Sequence, residues 1–143
     1  MSADPRFMHP FIRRLWMEDL DRVLEIEQAS YPFPWSRGIF ADCLRVGYAC
    51  FGVQLGNELV GYSVQNWGAG ESHLLNLCIH PAYQGNGFGS LLLEHSIGQA
   101  RSAGCQTMYL EVRPSNRDAV RLYQRRGFEV VGERLSYYQA GSD

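Results

Sequence analysis

The chain has little that would suit a membrane or a secretory route. Its 143 residues contain no apolar run near the roughly 20 residues that cross a bilayer. The segment 1–10 has neither the basic start nor the apolar core of a signal peptide. We therefore expect a cytoplasmic protein without a membrane partner.

Cysteine and histidine are sparse and scattered. The four cysteines form no Cys-x-x-Cys pair and lie among apolar neighbours: Cys43, Cys50, Cys78 and Cys105. This pattern indicates buried free thiols in a reducing compartment. The four histidines show no ligand spacing, so we predict no metal site. The formal net charge of −2 gives no reason to expect direct contact with nucleic acid.

Apolar content and periodicity predict one α/β domain. A hydrophobic fraction of 45% over this length suits a single domain spanning 1–143. The first half predicts a strand, two helices and a hairpin: Phe11–Arg13, Asp19–Ala29, a helix capped by Ser36 with Ile39, Phe40, Cys43 and Leu44 on one face, Tyr48–Leu55 and Leu59–Trp67. The second half alternates strand and helix: Ser72–Ile79, Leu91–Ala103, Thr107–Val112, Arg117–Arg126 and Phe128–Tyr138. We therefore expect a mixed sheet with a right-handed parallel crossover.

The most informative segment is rich in glycine and lies between the strand ending at Ile79 and the next helix. Gly85, Gly87 and Gly89 alternate there. Glycine adopts positive φ without strain and lets a ligand approach the backbone. The first N–H groups of the following helix, with the positive end of its dipole, point at such a ligand. The segment therefore predicts a phosphate site.

Other interpretations of this loop can be weighed on the sequence. A nucleotide-binding P-loop needs a lysine, and the loop has none. A dinucleotide fingerprint needs a third glycine where Ser90 stands, although Glu111 lies at a suitable distance for its ribose-binding acid. The loop also falls past the middle of the chain, which leaves room for only one crossover after it. A glycine turn without a ligand remains compatible with the same residues.

The pattern Gln84-x-x-Gly87-x-Gly89 resembles the pyrophosphate loop of the GNAT family of acyl-CoA N-acyltransferases. The segments 110–116 (LEVRPSN) and 119–128 (AVRLYQRRGF) resemble the second half of that family.

Two further features, Asn76 and the segment 32–36 (PFPWS), narrow the resemblance to the ribosomal-protein-alanine N-acetyltransferases. The resemblance runs from about Ile12 to Tyr138.

The resemblance implies a mixed, mostly antiparallel central sheet flanked by helices, with a parallel strand pair splayed at the acetyl-CoA site. Chains of this subfamily run on past the position of Asp143 into one more strand, the hairpin partner of Phe128–Tyr138. Since this sequence stops at Asp143, we expect either a shortened chain or an unusual sheet edge.

The resemblance also implies a coenzyme site for acetyl-CoA, the co-substrate. Its pantetheine arm and thioester would meet backbone groups of Leu77, Cys78 and Ile79, with an N–H near Cys78 or Ile79 polarising the carbonyl. Its pyrophosphate would meet the loop residues Gly85, Asn86, Gly87, Phe88, Gly89 and Ser90. Asn116 can cap the helix that begins there and, by the resemblance, contacts coenzyme A.

Glu111 is the candidate general base. It lies in an apolar strand, where burial would raise the pKa of its carboxyl towards neutrality. An α-amino group has an unperturbed pKa of about 7.7–8.0 and lysine one of about 10.4. Such a base would deprotonate a protein N-terminus more easily than a lysine. The alternative is a surface Glu111 paired with Arg113 on the same face.

Tyr123 is the candidate general acid. It lies seven residues after Asn116, on the same face of the predicted helix. The resemblance implies that its hydroxyl protonates the leaving thiolate, whereas a tyrosine that merely packs on the sheet is the alternative. Trp35 and Tyr138 can wall the acceptor groove or belong to the core.

These features together predict an acetyl-CoA-dependent N-terminal acetyltransferase with direct transfer in a ternary complex. The acceptor implied by the resemblance is the N-terminal alanine of small-subunit ribosomal protein number eighteen. Two alternatives remain at this point: acetylation of lysine or a small-molecule amine, and a coenzyme A-binding module without turnover.

Overall fold

The computed structural model describes residues 9–113, 116–130 and 136–140, with the backbone alone at 130 and 136–140. Within these ranges the strands are β1 (Phe11–Arg14), β2 (Ala49–Leu55), β3 (Glu58–Gly68), β4 (Glu71–Ile79), β5 (Thr107–Glu111), β6 (Glu129–Val130) and β7 (Ser136–Ala140). The α-helices are α1 (Leu20–Ser30), α2 (Arg37–Arg45), α3 (Phe88–Ser102) and α4 (Arg117–Arg125). No helix in the described part of the chain is long and apolar enough to cross a membrane.

The seven described strands form one sheet in the order β1-β2-β3-β4-β5-β7-β6. Neighbouring strands are antiparallel except for β4 and β5, which are parallel and joined through α3. The predicted mixed, mostly antiparallel sheet is therefore confirmed.

The sheet carries a separate core on each face. One core joins the sheet to α3 and α4, and includes Leu77 and Ile79. The other joins it to α1 and α2, and includes Cys78. Successive residues of a strand point to opposite faces, so the division within β4 follows from the pleat.

Local sequence signals explain most helix and strand ends. Ser36 caps α2 by accepting a hydrogen bond from the Ile39 amide at 3.3 Å. The β2–β3 hairpin turns at Gly56, whose φ of +61° suits glycine. Helix α3 ends before Gly104, where the Cys105 amide returns to the Ala100 carbonyl at 2.9 Å.

The predicted face of α2 is partly wrong. Phe40 and Cys43 are buried and Leu44 is half-buried, but Ile39 is 43% exposed. The reason is its place in the first turn, where α2 begins at the surface after the proline-rich segment 32–36.

The prediction of a single final strand over Phe128–Tyr138 is wrong. The described backbone has two strands there, β6 and β7, which pair antiparallel with Glu129 opposite Tyr138. Strand β7 pairs with β5, so β6 forms the edge of the sheet. A strand partner that was expected beyond Asp143 is thus found before it, in β7, and the expectation of a shortened chain or an unusual sheet edge stays a prediction.

Candidate active site

The parallel strands β4 and β5 diverge and open a gap in the sheet. They pair over Glu71–Leu74 and Thr107–Leu110 only, while β4 continues to Ile79. Where they part, Leu75 forms a β-bulge: Asn76 pairs with Val64 and Leu74 with Gln65, which leaves Leu75 unpaired. A bulge bends its strand and sharpens the local twist. Two cavities lie at this gap.

The first cavity, of about 290 Å³, lies between β4, the glycine loop and α4. Its lining includes five predicted coenzyme residues of the loop: Gly85, Gly87, Phe88, Gly89 and Ser90. Gly85 and Gly87 have φ of +82° and +83°, and the space where each Cβ would stand is open. The loop thus has the left-handed backbone and close access that a phosphate ligand requires.

Helix α3 begins at this cavity without a side-chain cap. Gly87 is its N-cap residue, so it offers no side chain to the amides of the first turn. These amides belong to Phe88, Gly89 and Ser90, which line the cavity. Free N–H groups and the positive end of the helix dipole therefore face it. The Phe88 side chain is only 4% exposed and packs in the core, so it offers the cavity its backbone alone.

Side chains of the loop brace it from behind. Gln84 donates to the Ile79 carbonyl at 3.1 Å, and Asn86 donates to the Tyr83 carbonyl at 3.0 Å. Tyr83 in turn is hydrogen-bonded to the Glu58 carboxylate. Asn86, predicted to bind the coenzyme, is absent from the cavity lining and shapes the turn instead.

Two arginines that the sequence reasoning missed line the first cavity. Arg121 and Arg125 lie one turn apart on α4, and the lining also includes Asp118, which is paired with Arg121 at 3.1 Å. Gly89 lets α3 approach this helix, because a Cβ there would stand 3.3 Å from a methyl carbon of Leu122. The net positive charge suits a phosphate ligand. The i, i+4 spacing of the arginines could have pointed to them.

Along the open edge of β4, the backbone groups of every second residue face the gap. His80 donates to the Val60 carbonyl at 2.8 Å, so the even-numbered residues of this stretch bond to β3. The Leu77 and Ile79 carbonyls instead meet the side chains of Tyr31 and Gln84. We infer that the backbone groups of Leu77 and Ile79 face the gap.

The prediction that groups Cys78 with Leu77 and Ile79 at the coenzyme stays a prediction, although the alternation favours the other two. By the same alternation its backbone faces β3, and its side chain is buried in the core with α1 and α2. Burial also raises the pKa of the Cys78 thiol. All four cysteines are free, with three buried and Cys105 half-buried.

The second cavity, of about 110 Å³, shares Leu77 and Asn116 with the first, so the two are adjacent. It brings together five predicted site residues from distant parts of the chain: Trp35, Leu77, Glu111, Asn116 and Tyr123. The side chain of Tyr138, also predicted at the acceptor, lies outside the described residues. Across the described ranges, no group of three or more histidine, cysteine, aspartate or glutamate side chains forms a metal site.

Glu111 lies at the cavity rim and is exposed, so the predicted burial is wrong. It is the last residue of β5, where β4 has already diverged and no longer covers that side. The alternative pairing with Arg113 is wrong too, because Arg113 donates to Glu27 at 2.8 Å. Glu111 is thus left at the cavity mouth, in reach of solvent.

Tyr123 is buried, with 2% of its surface exposed, on the cavity side of α4. Its ring meets Phe128 edge to face, with the centroids 6.1 Å apart. Burial raises the pKa of the Tyr123 hydroxyl above its ordinary value of 10.0. The phenol therefore keeps its proton at neutral pH, as a general acid must. Asn116 caps α4 as predicted, accepting from the Ala119 amide at 3.1 Å.

The most connected polar group here is Glu27, which the sequence reasoning did not select. It is 0% exposed and accepts four hydrogen bonds. Oε1 accepts from the Tyr62 hydroxyl at 2.5 Å and Asn76 Nδ2 at 3.0 Å. Oε2 accepts from the Trp35 amide at 2.9 Å and Arg113 Nη2 at 2.8 Å. A glutamate on the apolar stripe of α1 was the signal available in the sequence.

The network continues towards the first cavity. The Arg113 guanidinium lies 3.6 Å from the ring centroid of Tyr31, a cation–π contact. The Tyr31 hydroxyl accepts from Asn116 Nδ2 at 3.0 Å and lies 3.4 Å from the Leu77 carbonyl. Leu77 and Asn116, which line both cavities, are therefore linked to Arg113 through Tyr31.

Comparison with known proteins identifies relatives over most of the chain. A model of the acetyltransferase (GNAT) family matches residues 20–128. The [ribosomal protein bS18]-alanine N-acetyltransferase of Haemophilus influenzae is 39% identical over 120 residues, which are 84% of this chain and 82% of that protein.

Solved structures agree with this relationship. The crystal structure of the ribosomal-protein-S18-alanine N-acetyltransferase from Escherichia coli superposes with a TM-score of 0.79 at 29% identity, covering 91% of this chain and 90% of that one. The PaiA N-acetyltransferase of Thermoplasma acidophilum, solved in complex with coenzyme A, gives 0.75 at 20% identity and covers 93% and 99% of the two chains. At that identity the likeness shows the fold alone. The resemblance read from the sequence motifs is confirmed.

Proposed function

The chain belongs to the acetyltransferase (GNAT) family, and we propose that it transfers acetyl from acetyl-CoA to a protein N-terminus. As the acceptor we propose the N-terminal alanine of ribosomal protein bS18, because the H. influenzae and E. coli relatives bear that activity in their names. In this proposal the whole chain, 1–143, acts as one N-acetyltransferase domain in the cytoplasm, where ribosomal proteins are made.

The observation that carries the proposal is the pair of adjacent cavities at the splayed strands. One is built from main-chain amides and two arginines, and the other holds a carboxylate and a buried phenol. A two-substrate transfer needs such neighbouring sites, so that both reactants meet in one complex. The shared residues Leu77 and Asn116 mark where they would meet.

The first cavity fits the coenzyme. The amides at the start of α3 would bind the pyrophosphate, and Arg121 and Arg125 would add positive charge. The backbone of Leu77 and Ile79 would align the arm along the open edge of β4. Acetyl-CoA supplies the activated acetyl group when bound. The PaiA enzyme of the same fold, solved with coenzyme A, supports this assignment.

Three groups of the chain would then perform the transfer. Glu111, exposed at the rim, would take a proton from the acceptor ammonium through water. An amide of Leu77 or Ile79 would stabilise the developing oxyanion, a contribution of about 3 kcal/mol for one such donor. Tyr123 would protonate the departing thiolate, since burial keeps its hydroxyl neutral.

Direct transfer is favoured over a covalent acetyl-enzyme. A thiolate, rather than a thiol, is the nucleophile that an acyl carrier requires. Burial raises the pKa values of both Cys78 and Cys105, which keeps their thiols protonated. Among the described lining residues of the two cavities there is no cysteine.

The test compares two peptides by mass spectrometry. One begins with the Ala-starting sequence of bS18, and the other has a blocked N-terminus and an internal lysine. We expect acetylation of the first at a kcat/KM at least about a hundredfold higher, since its amine is largely neutral near pH 8. Preference for the lysine peptide would overturn the N-terminal assignment. Coenzyme binding without turnover on either peptide would indicate a non-catalytic module.

A feature of the chain simplifies the control. The sequence contains no lysine, so the enzyme offers no lysine amine of its own as an acceptor. Acetyl groups found on the enzyme would therefore lie at its N-terminus or on a thiol or hydroxyl, which hydroxylamine treatment separates.

A further inference from the structure

Glu27 is a buried carboxylate to which the proposed chemistry assigns no task. It lies on α1, is 0% exposed, and all four of its contacts are hydrogen bonds that it accepts. A buried charge is strongly unfavourable unless a charged partner and further hydrogen bonds compensate for it. Here Arg113 is the charged partner, and three neutral donors complete the set.

The four donors come from four segments that surround the second cavity. Tyr62 lies on β3, Asn76 on β4, Trp35 in the segment before α2, and Arg113 just after β5. Three of them, Trp35, Asn76 and Arg113, line the cavity. Glu27 itself is absent from that lining, and none of its four donors lines the first cavity. The direct contacts of Glu27 therefore lie on the acceptor side, and the coenzyme side is reached only indirectly, through Arg113 and Tyr31.

We propose that Glu27 is a positioning residue for the acceptor amine. Through one oxygen it holds the Trp35 backbone beside Arg113, and so fixes the relative position of two segments that line the second cavity, in which Glu111 and Tyr123 act. It does so without touching the reacting atoms. The inference rests on the proposed function, because it takes the second cavity as the acceptor site.

Replacing Glu27 with glutamine should weaken the link between these two segments, because a neutral amide replaces the carboxylate. The amide of Gln has one acceptor oxygen and one donor NH₂ group. Either Tyr62 and Asn76 or Trp35 and Arg113 would then face a donor in place of an acceptor. The guanidinium of Arg113 would also lose its counter-charge. A displacement of about 1 Å at a reacting group can lower a rate about a hundredfold.

The experiment compares Glu27→Gln with Glu25→Gln as a matched control. Glu25 lies on the same helix and carries an exposed ion pair to Arg22 at 3.1 Å. For Glu27→Gln we expect kcat/KM for the acceptor peptide to fall about a hundredfold. We expect the acetyl-CoA Kd, measured by calorimetry, to change less than about twofold, since the contacts lie apart from that cavity. Glu25→Gln should match the wild type in both.

A second pair of variants keeps the test decisive if Glu27→Gln does not fold. Arg113 is 28% exposed, but Arg113→Met leaves the buried Glu27 without its charged partner, so its fold is checked by denaturant unfolding before its kinetics are compared. It should raise the acceptor KM while leaving the acetyl-CoA Kd unchanged. Arg113→Lys should restore part of the loss, because it keeps the charge but not the planar fork. Amide exchange over residues 31–36 should quicken in Glu27→Gln even with no acceptor peptide present, since the Trp35 amide exchanges a carboxylate acceptor for a weaker neutral oxygen or for a donor.

The outcomes separate the two hypotheses. A wild-type enzyme that leaves the peptide unmodified would overturn the proposed function. The rate of amide hydrogen exchange at residues 31–36 would in that case still show whether Glu27 holds the Trp35 backbone. Wild-type activity together with equal acceptor kinetics in Glu27→Gln and Glu25→Gln would overturn the positioning role. Parallel losses of acceptor and acetyl-CoA binding in Glu27→Gln or Arg113→Met would also overturn it, because they would indicate a general structural lesion.

Discussion

The two cavities at the splayed strands are built in different ways. The first is made largely from backbone: left-handed glycines, uncapped amides at the start of α3, and the open edge of β4. The second is made largely from side chains of β4, β5, α4 and the segment between α1 and α2. The backbone cavity suits a ligand that is the same in every turnover. The side-chain cavity is the one in which substitutions can change the acceptor.

The difference also concerns how each cavity is held. The glycine loop is braced within a few residues of itself, by Gln84 and Asn86. The acceptor side is tied by Glu27, whose partner Arg113 lies 86 residues away in the chain. Damage to the first should therefore appear in the acetyl-CoA Kd, and damage to the second in acceptor kinetics and kcat.

The largest effect is expected from Tyr123→Phe. Removal of the hydroxyl removes the proposed acid but leaves the ring packed on Phe128. We expect kcat to fall by about 10²–10⁴-fold, the usual contribution of general acid–base catalysis, with the acetyl-CoA Kd unchanged. Stopped-flow or steady-state assays with calorimetry measure both. A small, equal change in both quantities would mean that Tyr123 only packs.

Glu111→Gln should have a smaller effect. Because Glu111 is exposed and would act through water, solvent can replace part of its role. We expect kcat/KM to fall about a hundredfold near pH 7, the low end for a general base. The deficit should shrink at pH 9, where the acceptor amine is already neutral. A deficit that stays constant from pH 7 to pH 9 would contradict the role as base.

The pH profile should rise and then stay level. Below the pKa of the acceptor amine, near 8, kcat/KM should increase about tenfold for each pH unit. Burial raises the pKa of Tyr123 above 10.0, so its acid form persists throughout this range. The rate should therefore not decline below about pH 10. A descending limb near pH 8–9 would indicate a different acid.

Gly87→Ala tests the backbone cavity. Its φ of +83° costs a non-glycine residue about 1–2 kcal/mol, although a methyl group would have space. The loop should relax away from this geometry, and the acetyl-CoA Kd should rise about tenfold, since 1.4 kcal/mol is a factor of ten. The acceptor KM at saturating acetyl-CoA should stay unchanged. An unchanged Kd would show that this turn does not bind the coenzyme.

Gly98→Ala is the matched control and the smallest expected effect. Gly98 lies within α3, is exposed, and has open space at its Cβ position. Alanine there should raise the free energy of unfolding by about 1 kcal/mol through helix propensity. Denaturant unfolding measures this, and neither Kd nor KM should change. A rise in the acetyl-CoA Kd would mean that any change in α3 disturbs the loop.

The coenzyme side could be predicted from the sequence because its signals are local. Glycine spacing, the end of β4 and the start of α3 lie within fifteen residues, so strand, turn and dipole could be inferred together. The side-chain orientation of Phe88 and Asn86 was beyond that reasoning, since it depends on packing against the rest of the fold. The assignment of Cys78 did not consider the alternation of backbone groups along an open strand, which favours Leu77 and Ile79.

The acceptor side could be predicted only in part. Glu111, Tyr123 and Trp35 were selected through the family resemblance, yet the burial of Glu111 was wrong because the divergence of β4 from β5 has no local signal. Glu27 was not selected because its hydrogen-bond donors lie far from it in the sequence, and because the sequence of α1 is that of an ordinary amphipathic helix. The single strand predicted over Phe128–Tyr138 failed for the same reason, since one long β-pattern does not reveal where it folds back.

The most direct test of this division is a crystal structure of the protein with coenzyme A and an Ala-starting peptide. We predict that the pyrophosphate contacts the amides of Gly87 to Ser90, and that the sulfur lies between β4 and β5 near the Tyr123 hydroxyl. The peptide amine should lie in the second cavity, between Glu111 and that sulfur. A nucleotide bound elsewhere, with no group at these amides, would contradict the account.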